Sequence, residues 1–444
     1  MQSKYFGTDG IRGLVNEQLT VDMAYRIGRY IGCSSKSQPR RIVIGRDTRV
    51  SGQLLFSALV TGIIASGSWV YDMGITTTPS ISYITHKHHF DFGIMISASH
   101  NPYYDNGIKI FSHEGEKISS ALECQIDEYI DRCDDDLPFA RNEKIGIVID
   151  GLYLVNEYLD FLIDKAHNFS KLRVLVDCAN GSASKLAPIL FARIGIQTDF
   201  INNIPNGQNI NDFCGSTHIS TLQEAMRAKK YDIGFSFDGD ADRLLAVAPN
   251  GQVVDGDALI YIAARSLRAR DKLNQNTVVM TVMSNYGTKK SLIDQGFAIE
   301  ETDVGDKYVQ SLLKQKHLSL GGEQSGHIIF MDDLNTGDGL LTAVKILKVM
   351  CSENKSLLEL LEGLEYYPQK LINVKVFNKN AVMANEGLQS IIEEENKKLK
   401  GKGRVLVRPS GTEQLIRVMA ETPSIEETAR VVEHIANYIN GLDY

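Results

Sequence analysis

Ile233-Gly-Phe-Ser-Phe237, running without a break into Asp238-Gly-Asp-Ala-Asp-Arg243, is the stretch on which the fold of this chain turns. The first half is a short apolar strand. The second is a loop with carboxylates at three alternate positions. Like charges this close repel, and ionised oxygens are costly to desolvate, so a divalent cation is the natural compensation. Hard oxygen ligands select Mg2+ ahead of Mn2+. A calcium loop of the EF-hand kind is excluded, because the Gly and Glu it needs at its sixth and twelfth positions are Arg243 and Pro249 here. A solvated acidic turn is the competing reading, and it leaves the apolar strand leading into the loop unexplained.

The same order, strand and then chemistry-bearing loop, occurs twice more. Phe92-Gly-Ile-Met-Ile96 enters Ser97-Ala-Ser-His-Asn-Pro102, and Leu318-Ser-Leu320 enters Gly321-Gly-Glu-Gln-Ser-Gly-His327. Each of the three follows a strand–helix–strand pattern, beginning at Arg41-Ile-Val-Ile44, Arg173-Val-Leu-Val176 and Thr277-Val-Val-Met-Thr-Val282. Three copies of one α/β architecture are the inference, related domains with mixed sheets in which the strand–helix–strand units supply a mainly parallel part. Ligands gather at the carboxyl ends of such strands, so the three loops are expected to converge on one cleft. From about Leu371 the pattern changes to strand, charged helix, two strands and a final helix, a smaller α+β module. The expected domains are 1–150, 151–250, 251–367 and 368–444.

Composition agrees with a multidomain enzyme. The chain has 444 residues, 43% hydrophobic and 23% charged, enough for several cores. Lys and Arg total 47 against 55 Asp and Glu, a net charge of −8, which argues against a general nucleic-acid binder. No apolar run is long enough to span a bilayer, and the first ten residues carry no signal-like apolar core. The 6 cysteines include no CxxC pair, so a reduced, cytoplasmic setting is expected.

The other loops are less decisive alone. Ser97-Ala-Ser-His-Asn-Pro102 sets Ser99 beside His100 as a candidate nucleophile or phosphate carrier, with Lys109 as a nearby cation or base; an ordinary Ser-rich turn is the alternative. Arg408-Pro-Ser-Gly-Thr-Glu413 resembles an anion nest, in which Ser410, Gly411 and Thr412 cradle phosphate oxygens while Arg408 and Arg417 add charge. Glu323 and Ser325 offer hydrogen bonds to vicinal sugar hydroxyls. Walker, dinucleotide-binding, HExxH and GxSxG motifs are absent, which removes the sequence warrant for P-loop and α/β-hydrolase chemistry.

In this order the loops resemble those of the α-D-phosphohexomutase superfamily. The matching segments are Phe6-Gly-Thr-Asp-Gly-Ile-Arg-Gly13, Ser97–Pro102, Asn209-Ile-Asn211 with Cys214-Gly-Ser-Thr-His218, Asp238–Arg243, Gly322–His327 and Arg408–Glu413, which are spread from residue 6 to 413, so the similarity extends over nearly the whole chain. The resemblance implies three related α/β domains and a smaller C-terminal domain in a heart-shaped molecule. It also implies a phosphorylated Ser99, and Mg2+ held by Asp238, Asp240, Asp242 and a phosphate oxygen on Ser99. Glu323 and Ser325 would then meet the sugar, and Arg408, Ser410, Gly411, Thr412 and Arg417 the non-reacting phosphate. Arg12, Lys109, Arg243 and His327 match positions lining the family's cleft, with His100 beside the phosphoserine. The resemblance as a whole implies interconversion of glucosamine 6-phosphate and glucosamine 1-phosphate, feeding UDP-N-acetylglucosamine and cell-wall synthesis, and Gln324 is the position that looks like the glucosamine-specific branch. Two departures from the family pattern are Gln414, where Pro is usual, and Lys307, where Arg is usual; Lys keeps the charge but loses the bidentate fork.

The implied partner is a small amino-sugar phosphate, with no nucleic acid or membrane, acting on a monomer or homodimer. A phosphomannomutase or phosphoglucomutase with the same machinery is the nearest alternative. An aspartyl-phosphate phosphatase is another, since Phe235-Ser-Phe-Asp-Gly-Asp240 resembles its nucleophile strand, with Asp238 as nucleophile. A sugar-phosphate sensor without turnover is a third.

Overall fold

Each of the three strand–loop units closes a sheet of its own in the computed structural model, which describes residues 3–7, 9–33, 39–167, 169, 171–410 and 413–442. The first sheet contains β1 (Phe6–Gly7), β2 (Gly10–Leu14), β3 (Arg41–Arg46), β4 (Trp69–Ile75), β5 (Phe92–Ile96), β6 (Asp105–Ser112) and β7 (Val148–Asp150), in the order β1-β2-β6-β5-β3-β4-β7. The second contains β8 (Arg173–Asp177), β9 (Gln197–Ile201), β10 (Ile233–Phe237), β11 (Leu244–Val247) and β12 (Val253–Val254), in the order β12-β11-β10-β8-β9. It therefore runs a few residues past the boundary expected near 250.

A shared core is visible in the pairing. In the first sheet β3 is parallel to β4 and β5, and β6 returns antiparallel to β5. In the second, β8 is parallel to β9 and β10, and β11 returns antiparallel to β10. The third unit has β13 (Thr277–Thr281), β14 (Ala298–Thr302), β15 (Leu320–Gly322) and β16 (Ile328–Phe330); β15 is parallel to β13 and antiparallel to β16. The sheets are thus mixed, as expected, with parallel strands at their centre. The reason is connection length. Residues 97–104, 238–243 and 323–327 are each shorter than the roughly dozen residues a parallel crossover needs, so the chain must turn straight back. All three loops occupy the same topological position.

The chain divides into two compact units, Met1–Thr281 with Glu301–Leu360, and Val282–Glu300 with Leu361–Tyr444. The second unit contains an antiparallel sheet of β17 (Gln369–Lys375), β18 (Arg404–Pro409) and β19 (Leu415–Glu421), ordered β17-β19-β18. The helix Ile425–Asn440 packs Val431, Val432, Ile435 and Ile439 into a core with Ile416 and Val418 of this sheet. Within that unit Arg404 donates to Glu421 Oε2 (2.6 Å) and to the carbonyls of Val282 (2.5 Å) and Ser284 (2.7 Å), tying the 282–300 segment to the sheet. Among the described residues no helix is long and apolar enough to cross a membrane.

Candidate active site

The carboxyl ends of β5 and β10 meet at one pair of side chains. Ser99 has its backbone in the left-handed region, φ 51°, which costs energy for any residue other than glycine. Its Oγ donates to Asp238 Oδ2 at 2.6 Å, and both residues are buried. Asn211 braces the same turn, its Nδ2 donating to the carbonyls of Ser99 (2.8 Å) and Asn101 (3.1 Å).

Three helices aim their N-termini at the aspartate loop. The amide of Ser182, N-cap of the helix Ala183–Arg193, donates to Gly239 O (2.8 Å); Thr78, opening Thr78–Lys87, donates to Asp240 O (3.1 Å); Gly339, opening Gly339–Glu353, donates to Ala241 O (3.0 Å). Helix N-termini carry partial positive charge, which favours an anionic loop at this spot. Thr78 Oγ1 also bonds Asp240 Oδ2.

The aspartates fit a divalent cation. Asp238, Asp240 and Asp242 each offer one oxygen within 4.8 Å of the others. The Oδ1 atoms of Asp240 and Asp242 are buried and have no hydrogen-bond partner. Burial, then the charges of Asp242 and Asp240, hold the Asp238 carboxyl well above the usual carboxylate range. Partnerless buried oxygens and crowded carboxylates are the strains that a hard cation relieves.

Fixed cations surround this cluster. Lys109 Nζ lies 2.7 Å from Asp9, 2.7 Å from Asp240 and 3.5 Å from Asp242. Burial opposes its charge, but these carboxylates outweigh it and hold the ammonium well above its ordinary range. Of the two roles open to Lys109, fixed cation or base, the geometry favours the cation. Arg12 pairs with Asp9. The Arg243 amide donates to Asp238 Oδ1 (3.4 Å), and its Nη1 stands 3.4 Å from His100 Nδ1. That same ring nitrogen is 3.3 Å from Ser99 Oγ. Burial, then Arg243 and Arg12, push His100 down to about 4, so its imidazole is neutral at physiological pH.

The third loop joins the other two. Leu244 donates its amide to Gly326 O at 3.1 Å. His327 is buried, with Nδ1 3.7 Å from Asp242 Oδ2, and its Nε2 accepts the Gly337 amide at 3.0 Å. That bond occupies Nε2 and leaves Nδ1 facing Asp242. Glu323 is buried and accepts the Gly305 amide on Oε1 (3.1 Å), while Ser325 is exposed.

Asp9, Thr78, Lys117 and Asp306 also belong here, and sequence reasoning did not single them out. Lys117 bridges Asp9 (2.8 Å) and Asp306 (2.5 Å), which extends the charge chain from the aspartate loop to the third unit. Asp9 lies inside the Phe6–Gly13 segment and Asp306 directly precedes Lys307, so each stands next to a residue that the family pattern marks. Thr78 and Lys117 carry no motif at all.

In the second unit, Arg408 on β18 faces Arg417 on β19 directly across the ladder. Like charges in such a pair are destabilising unless an anion lies between them. Arg417 Nε is buried without a hydrogen-bond partner, Ser410 is buried, and Lys379 Nζ holds the carbonyls of Ser410 (2.7 Å) and Glu413 (3.1 Å). Gly411 and Thr412 lie outside the described residues.

Comparison with known proteins agrees domain by domain. Residues 3–136, 156–251 and 255–367 match the phosphoglucomutase/phosphomannomutase alpha/beta/alpha domains I, II and III, and residues 371–438 match the C-terminal domain of the same family. A phosphoglucosamine mutase of Anoxybacillus flavithermus is 46% identical over 440 residues, covering 98% of both chains. A solved phosphoglucomutase/phosphomannomutase family protein from Burkholderia thailandensis shares the fold with TM-score 0.82 at 23% identity, over 99% of each chain. So does the Aspergillus fumigatus N-acetylphosphoglucosamine mutase, solved with GlcNAc-6P and magnesium, with TM-score 0.72 at 19% identity over 99% of this chain and 96% of that one. With four family domains in order and a near full-length relative at this identity, the chain belongs to the phosphoglucomutase/phosphomannomutase family, beside its phosphoglucosamine mutases.

Proposed function

We propose that this chain, an isomerase by family, interconverts glucosamine 6-phosphate and glucosamine 1-phosphate through a phosphoserine at Ser99 and a bisphosphorylated sugar. The observation that carries the reading is the 2.6 Å approach of Ser99 Oγ to Asp238, inside a buried three-carboxylate loop. The relative from Anoxybacillus flavithermus supports the amino-sugar substrate, and the magnesium of the fungal neighbour supports Mg2+. The six free cysteines are in keeping with a cytoplasmic setting.

Asp238, Asp240 and Asp242, with a phosphate oxygen on Ser99, would hold Mg2+, which when bound neutralises charge on the transferring oxygens. The chain's own residues supply the rest, since phosphoryl transfer is catalysed mainly by positioning and electrostatics. A sugar hydroxyl attacks the phosphorus on Ser99; the P–Oγ bond breaks, the new P–O bond forms, and the hydroxyl proton ends on Ser99 Oγ. Lys109, Arg12 and Arg243 present fixed positive charge to the transferring group, and neutral His100 can hold a proton at Nδ1 beside Oγ. Glu323 and Ser325 orient the sugar hydroxyls, with His327 fixing the wall against Asp242. Arg408, Ser410, Gly411, Thr412 and Arg417 grip the phosphate that is not reacting. After the intermediate turns over, its other phosphate returns to Ser99.

A panel of glucosamine, mannose and glucose phosphates, turned over by phosphorylated enzyme with Mg2+, tests the substrate. Preference for mannose or glucose phosphates would replace this reading with the phosphomannomutase or phosphoglucomutase one. Ser99→Ala is expected to abolish mutase activity and phosphate loading; full activity without Ser99 would reject the phosphoserine, and net phosphate release would point to Asp238 as nucleophile.

A further inference from the structure

The segment Asp47-Thr-Arg49 follows β3, the parallel neighbour of β5, so the ends of these strands place it beside the Ser99 turn. Asp47 and Arg49 are both buried. Arg49 uses all five of its N–H donors. Nε bonds Asp47 Oδ2 (2.9 Å); Nη2 bonds the carbonyls of Ser99 (2.9 Å) and Asn101 (2.8 Å); Nη1 bonds those of Pro102 and Asp105, the latter at 3.1 Å. Asp47 in turn accepts from Ser97 Oγ (2.6 Å), and Ser97 Oγ accepts the Ser99 amide (2.9 Å). Ser99 is therefore gripped on both sides of its strained backbone, its amide through Ser97 and Asp47, its carbonyl by Arg49.

We infer that Asp47 and Arg49 are positioning residues that hold Ser99 in its left-handed conformation and so direct phosphoryl transfer to the sugar. They touch neither the reacting atoms nor the aspartate oxygens; they act through the turn. A buried guanidinium with four carbonyl acceptors and one carboxylate fixes the turn in a way that an ammonium, a point charge without the planar fork, cannot. Misplacing the reacting group by about 1 Å costs about 100-fold in rate, whereas attack by water needs no sugar alignment. The partition between transfer and hydrolysis is thus the property that the clamp controls. This rests on Ser99 being the phosphate carrier.

The test loads the full-length enzyme with labelled phosphate and follows single-turnover transfer to glucosamine 6-phosphate against loss to water. Arg49→Lys and Ser97→Ala are compared with the parent, with melting curves in parallel. The expected result is a fall in transfer of about tenfold or more, hydrolysis unchanged within about twofold, and KM little altered. The inference is overturned by transfer unchanged within about twofold, or by transfer and hydrolysis falling together with the melting temperature. Where Arg49→Lys does not fold, Ser97→Ala, which deletes one oxygen, decides alone. Ser99→Ala serves as the separate control: label retained there would reject the carrier role itself, whatever the clamp variants show.

Discussion

Gly239 passes so close beneath Ser99 that a Cβ at 239 would stand 2.4 Å from the Ser99 carbonyl oxygen. The same added atom would meet Asn211 Nδ2 at 3.0 Å, the group that braces that carbonyl. The glycine between two ligand-like aspartates is therefore a packing requirement of the two-loop contact.

From that contact follows the outcome for Gly239→Ala. Backbone must shift, since the obstructing atom is a carbonyl and not a flexible side-chain end. Overpacking of this kind costs about 1–3 kcal/mol, and the displaced pair would lose about 100-fold in turnover. Chemical denaturation and steady-state kinetics on the purified variant check both numbers; activity within threefold of the parent would show that the approach is not needed.

Lys109 provides the second case. It is the buried counter-charge of Asp9 and Asp240, and removing one partner of a buried ion pair costs about 3–5 kcal/mol because the other is left uncompensated. Lys109→Met should therefore unfold at markedly lower denaturant. Added Mg2+ supplies positive charge to the same aspartates, and a ligand at a hundred times its Kd adds about 2.7 kcal/mol. The cation should accordingly raise the midpoint of both proteins, and stripping it with a chelator should reverse the gain and abolish turnover. A Lys109→Met protein as stable as the parent without metal would contradict the role given to this ammonium.

The sequence made part of this visible and hid the rest for definable reasons. Strand–loop order was legible because Ile233–Phe237 and Phe92–Ile96 are apolar runs ending abruptly in polar residues, and the structure places Ser99 against Asp238 as that order implied. The mixed sheets are legible too, because the shortness of 238–243 demands an antiparallel return after a parallel strand–helix–strand unit. Asp47, Arg49 and Thr78 escaped because their contacts span long sequence separations, as in Thr78 with Asp240 and Arg49 with Ser99. A lone Arg or Thr in a loop looks the same whether it grips a distant turn or faces water. Asp306 carries no signal of its own in the sequence, because its ion pair is with Lys117, 189 residues away.

Asp338 sets a pH dependence that is separate from the chemistry. It caps the helix Gly339–Glu353 by accepting the Leu341 amide (3.0 Å), accepts the Tyr158 hydroxyl (2.8 Å), and is buried. Burial pushes its carboxyl up from 3.8 to about 7, against the pull of those hydrogen bonds. A folded-state value above the unfolded one means that the folded protein binds the extra proton between about pH 4 and pH 7, so this group's stabilisation is full at the acid end of the window and is lost as the pH rises through 7. Asp338→Asn keeps an N-cap acceptor, since Asn caps as well as Asp, but cannot ionise. Stability of the parent, measured by urea unfolding at successive pH values, should decline across that window relative to the Asn variant, and the two curves should run parallel above about pH 8. Identical slopes from pH 4 to 7 would mean that Asp338 stays ionised in the folded protein and that its hydrogen bonds outweigh its burial.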